Sequence, residues 1–303
     1  MQLHYGLDSF KKLSKAIVTS GTFDGVHMGH QTILDRLKEV ARQDGGETVV
    51  LTFWPHPRII LFPDQNDLRL LTSLEEKALL LEKHGIDHLL VLPFSKEFSK
   101  TSSKDFIEIG TTKLVIGYDH RFGRNREGSF EYLKEHAHEW GFGVEEIPRH
   151  DVDNIGVSST KIRQTLMESG DVDTASSYLG YHYMISGKVI QGERIGRTIG
   201  FPTANVSVGE AHKLIPANGV YAVTVEVKGK THKGMLYIGP RPTIGSALHR
   251  TIEVNIFDFD DDIYNEQIRL SLHQKLRGDE KFDGLEALKN QLAADRERAL
   301  KIL

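Results

Sequence analysis

The sequence predicts an α/β domain followed by a β domain that closes with a single helix. The chain has 303 residues, about twice the length of an average domain. Up to about residue 180, short apolar runs alternate with amphipathic runs of helical length. After Tyr183, strand-like runs follow one another with turns between them. We therefore expect two domains, at residues 1–183 and 184–303.

In the first domain, each element is predicted by its spacing or by a terminal signal. Short apolar runs predict strands at residues 16–18, 48–53, 88–92, 114–117 and 144–147. Amphipathic spacing predicts helices from residue 31 onward and at 73–85, 104–109, 129–140 and 158–168. Ser73 with Glu76 forms a capping box, and Gly141 ends a helix. Because strands alternate with helices, we expect a parallel sheet with helices on both faces.

The second domain is predicted to be an antiparallel sheet or barrel. Strand-like runs lie at residues 184–190, 220–227, 232–238, 250–257 and 267–273. Lys228-Gly229-Lys230 is a plausible hairpin tip between two of them. A terminal helix is expected over residues 283–302, with apolar side chains near one face at Leu285, Leu288, Leu292, Ala299 and Leu300.

The composition excludes several classes of function. There is no cysteine, which excludes disulfides, thiolate metal sites and a cysteine nucleophile. The 38 Lys+Arg and 42 Asp+Glu give a net charge of −4, unlike the basic excess of a nucleic-acid-binding protein. No apolar run approaches the roughly 20 residues of a membrane span, and the N-terminus does not resemble a signal peptide. We expect a cytoplasmic protein, monomeric or weakly oligomeric, that binds neither nucleic acid nor membrane.

A loop rich in glycine and histidine joins the first predicted strand to the first helix. Residues 21–30 read Gly-Thr-Phe-Asp-Gly-Val-His-Met-Gly-His. In an open parallel sheet ligands bind at the carboxyl ends of strands, and a helix N-terminus there favours phosphate. His27 and His30 would add donors that stabilise charge on phosphorus. Two alternatives stay open: two surface histidines in a loop, or a metal site formed by Asp24, His27 and His30.

Four segments of the first domain resemble a known family. His27-Met28-Gly29-His30 matches the HxGH signature of the nucleotidyltransferase superfamily. It is followed by Leu-Thr-Phe-Trp-Pro-His-Pro-Arg at 51–58, Gly-Tyr-Asp-His-Arg-Phe-Gly at 117–123 and Ser-Ser-Thr-Lys-Ile-Arg at 158–163. This order and spacing resemble the adenylyltransferase module of bacterial bifunctional riboflavin kinase/FAD synthetases. The resemblance implies a Rossmann-like nucleotidyltransferase domain.

The same resemblance implies roles for individual residues. His27 and His30 would bind the ATP phosphates and stabilise the pentavalent α-phosphorus. Further ATP or phosphate contacts are expected at Gly21, Thr22, Phe23, Asp24, Gly29, Ser159, Thr160 and Arg163. Flavin contacts are expected at Phe53, Pro55, Asp119 and Phe122, although Phe53 is equally suited to core packing, and Ser158-Ser159-Thr160 to a helix cap. His120 stands where many relatives carry Phe.

A second glycine-rich segment, residues 192–205, lies between predicted strands of the second domain. Gly192, Gly196 and Gly200 recur at four-residue spacing, and Arg194 and Arg197 add positive charge. Such a segment allows backbone N–H groups to approach phosphate, although it can also be a mobile loop. Hard oxygen ligands suited to Mg²⁺ follow at Thr203 and Asn205.

The end of this segment resembles the riboflavin kinase signature. Residues 200–205 read Gly-Phe-Pro-Thr-Ala-Asn. The resemblance implies that Thr203 and Asn205 hold Mg²⁺–ATP, with ATP contacts at Gly192, Gly196, Arg197, Gly200 and Pro202. Further along, a loop at residues 277–282 resembles the flavin-side loop of the family, which assigns Arg277 to flavin binding.

Glu253 is the candidate general base of the second domain. The alternation over 251–256 places Ile252, Val254 and Ile256 on one face and Glu253 on the other. Periodicity alone favours an ordinary solvent-facing carboxylate at this position. The resemblance implies that Glu253 stands at the family position of the general base, which takes the proton of the riboflavin 5′-hydroxyl. The acidic run at 258–262 reads as a solvated turn, and Asn265 stands where the family has Gly.

The resemblance covers essentially the whole chain and implies two reactions. The second domain would transfer the γ-phosphoryl group of ATP to riboflavin, giving FMN. The first domain would transfer AMP from ATP to FMN, giving FAD and pyrophosphate, and both steps would need Mg²⁺. Two alternatives remain: an adenylyltransferase for a pantetheine or nicotinamide phosphate, or a non-catalytic flavin or nucleotide binder.

Overall fold

The computed structural model describes residues 1–64, 67–100, 111–117, 129–147, 156–192, 196, 199–240 and 250–303. The chain divides into two compact units, Met1–Ser159 and Thr160–Leu303. This division lies before residues 160–183, which the sequence assigned to the first domain, and the boundary at residue 183 stays a prediction. The helix expected at 104–109 lies outside the described residues. No helix in the described ranges is long and apolar enough to cross a membrane.

The first unit is a six-stranded parallel sheet with helices packed against it. The strands are β1 (Gln2–Tyr5), β2 (Ala16–Ser20), β3 (Glu47–Trp54), β4 (His88–Pro93), β5 (Thr111–Gly117) and β6 (Gly143–Ile147). The helices are α1 (Met28–Asp44), α2 (Pro57–Leu61), α3 (Leu74–Lys83) and α4 (Phe130–Trp140), and short 3₁₀ turns lie at Leu7–Ser9 and Phe98–Lys100. The predicted parallel sheet is confirmed.

The strand order places the β2–α1 loop at a reversal of the sheet. The order is β1-β4-β3-β2-β5-β6, so the chain moves from β2 to β3 on one side and later to β5 on the other. Ligands of open α/β sheets bind at such a reversal, beyond the carboxyl ends of the strands. A buried cluster around Val18, Leu51, Leu90 and Leu114 holds these strands together. The fold therefore presents residues 21–27 at the place where a nucleotide should bind.

The second unit begins with short helices and continues as a closed barrel. Its helices are α5 (Ser159–Gln164), whose first residue is the last of the first unit, continued by a π-helical turn (Thr165–Ser169), then α6 (Val172–Leu179) and α7 (Leu285–Ile302). Its strands are β7 (Met184–Ile190), β8 (Ala204–Ser207), β9 (Gly219–Val227), β10 (Lys230–Pro240), β11 (Arg250–Ile256) and β12 (Gln267–Arg277). They pair antiparallel in the order β10-β11-β8-β7-β12-β9 and close, which confirms the predicted barrel.

Local signals mark several element ends as predicted. Ser73 and Glu76 form the capping box of α3, and Gly141 ends α4 in the left-handed conformation. Lys228 and Gly229 both have positive φ at the tip of the β9–β10 hairpin, as a tight primed turn requires. On α7 the predicted apolar face is partly wrong: Ala299 is buried, whereas Leu285 and Leu300 are exposed.

Four elements were not predicted from the sequence: β1, α2, α6 and β8. The strands β1 and β8 have only four residues each, and α2 has five. Such lengths show too few periods of apolar spacing to be recognised. β8 includes Ala204 and Asn205 of the signature, which therefore lies partly on a barrel strand rather than wholly in a loop.

Candidate active sites

The loop after β2 is held in place by the carboxylate of Asp24. Asp24 is 2% exposed, and its oxygens accept hydrogen bonds from the backbone N–H of Leu71 (2.9 and 3.1 Å) and of Thr72 (3.2 Å). Thr72 Oγ1 accepts from the backbone N–H of Gly25 at 3.2 Å. The Asp24 side chain thus fixes the loop to the segment before α3. Among the described residues no group of three His, Asp or Glu side chains could hold a metal ion, so the structure does not support the metal site formed by Asp24, His27 and His30.

His27 and His30 lie together at the start of α1. His27 is the N-cap residue of α1, and its Nδ1 accepts from the backbone N–H of His30 at 3.4 Å. The two rings stack with centroids 3.7 Å apart and planes 17° apart, and the ring of Phe23 lies 5.1 Å from that of His30. Two imidazoles therefore stand at the positive end of a helix, where an anion is favoured.

The protonation state of His30 is set by its surroundings. Burial, then the neighbouring His27 and then Lys77 lower the pKa of His30 well below its usual value. Its Nδ1 is shut off from solvent and has no hydrogen-bond partner among the residues that the structure describes. Because a proton on Nδ1 would be left without an acceptor, the neutral form with the proton on Nε2 is favoured. That form can donate a hydrogen bond to a phosphate oxygen.

A buried lysine under this loop was not identified from the sequence. Lys77 of α3 is 2% exposed, and its Nζ donates to Thr52 Oγ1 at 3.3 Å. Burial lowers the pKa of Lys77 to about 8, although Asp24 acts in the opposite direction. The spacing of Lys77 from Leu74 and Leu81 places it on the apolar side of the helix, and this signal could have identified it.

Other predicted residues of the first site have structural contacts within their own unit. The N–H of Gly21 donates to Leu51 O at 3.0 Å, and Thr22 O accepts from Thr52 Oγ1 at 3.4 Å. Ser159 Oγ donates to Asp24 O at 3.0 Å. Thr160 and Arg163 lie on α5 in the second unit, so their position relative to this loop is not described.

The expected flavin side of the first unit is described only in part. Phe53 packs against Phe94 and Phe98, with ring centroids 5.7 and 5.9 Å away, which favours the core-packing alternative for this side chain. Pro55 follows β3 and is exposed. Asp119, His120 and Phe122 lie outside the described residues, as do Arg194 and Arg197 of the second glycine-rich segment.

In the second unit, Glu253 lies between two strands that carry functional candidates. The register of β11 pairs Glu253 with Asn205 of β8 on one side and with Tyr237 of β10 on the other. Its carboxylate accepts hydrogen bonds from Thr203 Oγ1 and Thr251 Oγ1, both at 3.2 Å. The barrel therefore brings Thr203, Asn205 and Glu253 together.

Two glycines of the second segment, Gly192 and Gly196, let its backbone lie close to residues 201–205. A Cβ on Gly192 would lie 2.0 Å from Asn205 Nδ2, and a Cβ on Gly196 would lie 2.2 Å from Phe201 O. The N–H of Phe201 donates to Gly196 O at 2.9 Å, and Gly200 follows with φ of 83°. A side chain at position 192 would collide with the Asn205 side chain, and one at position 196 with the Phe201 backbone, which explains glycine at both positions.

A cavity of about 390 Å³ opens beside Thr203. One wall is apolar and is formed by Val189, Pro202, Val254, Ile256 and Ile263. Thr203, Ala204, Phe259, Tyr264 and the acidic residues 260–262 also line it, so the run interpreted as a solvated turn borders a pocket. Asn265, where the family has Gly, has φ of 67°. Asn tolerates this left-handed conformation, so the substitution preserves the turn.

Arg277, the predicted flavin contact of the second unit, is engaged within the chain. Its Nε lies 2.8 Å from Asp295 Oδ2 of α7, and Asp295 is fully buried. The guanidinium also lies over the ring of Phe282 at 5.2 Å. Tyr237, which the sequence analysis missed, donates its hydroxyl hydrogen to Asp279 Oδ1 at 3.1 Å. Burial, followed by Asp279 and Glu253, raises the pKa of Tyr237 to about 12.

The two units define a two-domain transferase that uses nucleotides: one site offers stacked imidazoles at a helix N-terminus, the other a carboxylate beside hard oxygen donors. The sequence matches the FAD synthetase family over residues 9–161 and the riboflavin kinase family over residues 179–303. The chain therefore belongs to the family of bifunctional riboflavin kinases/FMN adenylyltransferases, with the adenylyltransferase domain first.

Relatives named bifunctional riboflavin kinase/FMN adenylyltransferase match nearly the whole chain. The protein of Listeria monocytogenes is 38% identical, covering 97% of this chain and 94% of its own length. That of Escherichia coli K12 is 36% identical, covering 92% and 90%. A solved structure from Streptococcus pneumoniae, described as a macrolide-efflux protein, shares the fold with a TM-score of 0.88, 31% identity and 99% coverage of both chains.

Proposed function

We propose that the first unit adenylylates FMN at the histidine pair of the β2–α1 loop. A phosphate oxygen of FMN attacks the α-phosphorus of ATP, the bond from that phosphorus to the β-phosphate bridging oxygen breaks, and pyrophosphate leaves. His27 and His30 stabilise the charge that develops on the phosphoryl oxygens. The stacked rings and the favoured Nε2–H form of His30 support this role.

The remaining ATP and flavin contacts of this reaction are proposed from the family pattern. Ser159, Thr160 and Arg163 bind phosphate oxygens, and the backbone of the loop lines the triphosphate. Asp24 acts differently from the initial prediction: its carboxylate is occupied by backbone N–H groups of Leu71 and Thr72. We therefore assign Asp24 to holding the loop rather than to contacting phosphate.

In the second unit we propose that Glu253 is the general base for phosphorylation of riboflavin. Glu253 takes the proton of the 5′-hydroxyl, the hydroxyl oxygen forms a bond to the γ-phosphorus of ATP, and ADP leaves. Thr203 and Thr251 hold the carboxylate by donating to both of its oxygens. A fixed carboxylate beside the phosphate-binding segment is the observation that carries this assignment.

The donor set beside Glu253 fits Mg²⁺. Thr203 Oγ1, the Asn205 amide oxygen and the carboxylate are hard oxygen ligands, which Mg²⁺ prefers. We propose that Thr203 and Asn205 hold the ion together with ATP phosphates. When bound, Mg²⁺ neutralises charge on the transferred phosphoryl group.

We assign the neighbouring cavity to the base of ATP in the kinase reaction. Its volume of about 390 Å³ and its apolar wall suit a flat heteroaromatic ring. Thr203 borders the cavity, so a nucleotide whose base lies there directs its phosphates toward the proposed Mg²⁺ ligands. Because both reactions consume ATP, we propose that the enzyme acts in the cytoplasm. A monomer or weak oligomer stays the expectation from the sequence.

Product analysis tests these assignments. With riboflavin, ATP and Mg²⁺ the protein is expected to form FMN and then FAD, separated by chromatography. His30→Ala should abolish FAD formation and leave FMN formation unchanged, whereas Glu253→Ala should do the reverse when each substrate is supplied separately. The exposed His138→Ala and Glu226→Ala variants are the matched controls and should retain both activities. Transfer of AMP to a pantetheine or nicotinamide phosphate in preference to FMN would contradict the proposal.

A further inference from the structure

The buried lysine of α3 lies beneath the phosphate-binding loop of the first unit. Lys77 Nζ donates to Thr52 Oγ1 near the end of β3, and Thr52 Oγ1 donates to the carbonyl of Thr22 in the loop. Nζ also lies 5.5 Å from the centre of the Trp54 ring. This chain of contacts connects α3, the carboxyl end of β3 and the loop that carries the two histidines.

Burying an ammonium group is costly unless its charge is used or compensated. An isolated buried lysine destabilises the folded chain, so lysine is rarely fully buried without a partner. Asp24 lies close enough to favour the charged form of Lys77, but its carboxylate already accepts hydrogen bonds from Leu71 and Thr72. Only one of the three Nζ donors of Lys77 is used by a hydrogen bond among the described residues, the bond to Thr52.

His30 does not itself provide a positive charge for an anion that binds at this loop. His30 is neutral at pH 7, because burial, His27 and Lys77 all lower its pKa. In the described part of the chain, its enclosed Nδ1 has no acceptor for a second proton. A polyanion that approaches α1 therefore meets a hydrogen-bond donor at His30, whereas the buried positive charge of the pocket resides on Lys77.

We propose that Lys77 is a positioning residue for adenylyl transfer: its ammonium group holds the β2–α1 loop against β3 and supplies the positive charge that favours the triphosphate at the histidine pair. The proposal rests on the assignment of adenylyl transfer to this loop. Lys77 acts through Thr52, Thr22 and the local field, since its side chain is almost fully buried. Preorganised charge of this kind stabilises the transition state without reorganisation during the reaction.

A dependence on pH follows from this role. The pKa of Lys77 is lowered to about 8 by burial, so the ammonium form predominates below that pH and is lost above it. Among the residues that the structure describes, Asp24 and His30 interact electrostatically with Lys77, and Asp24 favours its charged form. Formation of FAD from FMN should therefore decline through a pH near 8, whereas arginine at this position would stay charged.

The test measures kcat/KM for ATP in FAD formation from FMN between about pH 7 and 9.5, with arginine fully charged throughout. Wild type should decline above pH 8. Lys77→Arg should stay within about threefold of wild type at pH 7 and lack the decline near pH 8. Lys77→Met should lose about tenfold or more at pH 7, because a charge at a shielded site contributes several RT. The exposed Lys83→Met variant on the same helix is the matched control and should behave as wild type.

The pH profile separates this role from a purely structural one. A folding defect lowers activity at every pH and leaves the decline where it is. As a second readout, histidine NMR of the ATP-free protein should show a higher pKa for His30 in Lys77→Met, with the resonance assigned by His30→Gln. An inactive Lys77→Arg, an unchanged decline in that variant, or Lys77→Met within threefold of wild type would overturn the proposal. If wild type forms no FAD, the assignment of the reaction itself fails instead.

Discussion

Removal of the Asp295 carboxylate should destabilise the second unit more than removal of any exposed carboxylate of its barrel. Asp295 of α7 is fully buried and lies 2.8 Å from Arg277 Nε, and Gln291 Nε2 donates to its other oxygen at 2.9 Å. Asp295→Ala leaves the Arg277 charge buried without its partner. Breaking a buried pair in this way costs about 3–5 kcal/mol. Because Arg277 keeps its contacts with Gly278 O and the Phe282 ring, we expect about 3 kcal/mol.

The matched control is Glu226→Ala, which breaks the partly exposed pair between Arg269 and Glu226 on the same barrel. Its two atoms lie 2.7 Å apart, similar to the buried pair, but the side chains are 30% and 47% exposed. Solvent screening limits such a pair to about 0.2–1 kcal/mol. The comparison therefore tests burial rather than distance.

Urea unfolding separates the two units. The two tryptophans of the chain, Trp54 and Trp140, both lie in the first unit, so fluorescence follows that unit and far-UV circular dichroism follows both. Asp295→Ala should lower the dichroism transition of the second unit and leave the fluorescence transition unchanged. The double variant Arg277→Met with Asp295→Leu should recover most of the loss, since no buried charge remains. Equal losses for Asp295→Ala and Glu226→Ala would refute the reasoning.

Three further predictions concern individual groups. Gly192→Ala places a Cβ 2.0 Å from Asn205 Nδ2 and so displaces this proposed Mg²⁺ ligand. The kcat/KM for ATP in FMN formation should drop about tenfold or more, whereas FAD formation from FMN should be unchanged. Equal losses in both reactions would contradict this. Asp24→Asn should lower the free energy of unfolding of the first unit by about 1–3 kcal/mol, measured by tryptophan fluorescence, because one of the two oxygens that accept from the Leu71 N–H is replaced by an NH2 donor. Burial and His182 lower the pKa of His273 from 6.5 to about 4. As the pH falls from 6.5 toward 4, the unfolded chain therefore binds a proton that the folded chain does not, and the second unit should lose stability. Melting temperatures of His273→Asn should show a smaller loss over this range, and an identical pH dependence would contradict the assignment.

Local signals in the sequence were sufficient for most element ends. The capping box of Ser73 and Glu76, the left-handed Gly141 and the Lys228-Gly229 turn each depend on residues within one turn of the chain. Their geometry is set by side-chain-to-backbone hydrogen bonds and by backbone sterics, which neighbours in sequence decide. For the same reason the histidines at the start of α1 could be located from the sequence.

Contacts between residues that are distant in sequence could not be predicted from such local signals. The exposed strand β1 shows no apolar alternation and forms only because it pairs with β4, more than 80 residues away. Asp24 was predicted to contact phosphate, but its carboxylate accepts from Leu71, 47 residues further along. Arg277 was predicted to contact flavin, and its partner Asp295 lies on α7.

The sequence by itself determined the two-domain order, the parallel and antiparallel sheets and the positions of the two segments proposed to bind phosphate. Periodicity and capping depend on residues that are close in sequence, so they can be recognised without knowing which segments pack together. Only the tertiary structure decided that Lys77 is buried beneath the first loop and that Glu253 stands between Asn205 and Tyr237. Burial and cross-strand neighbours depend on how distant segments meet. These contacts lower the pKa of His30 and Lys77 and hold the Glu253 carboxylate in place.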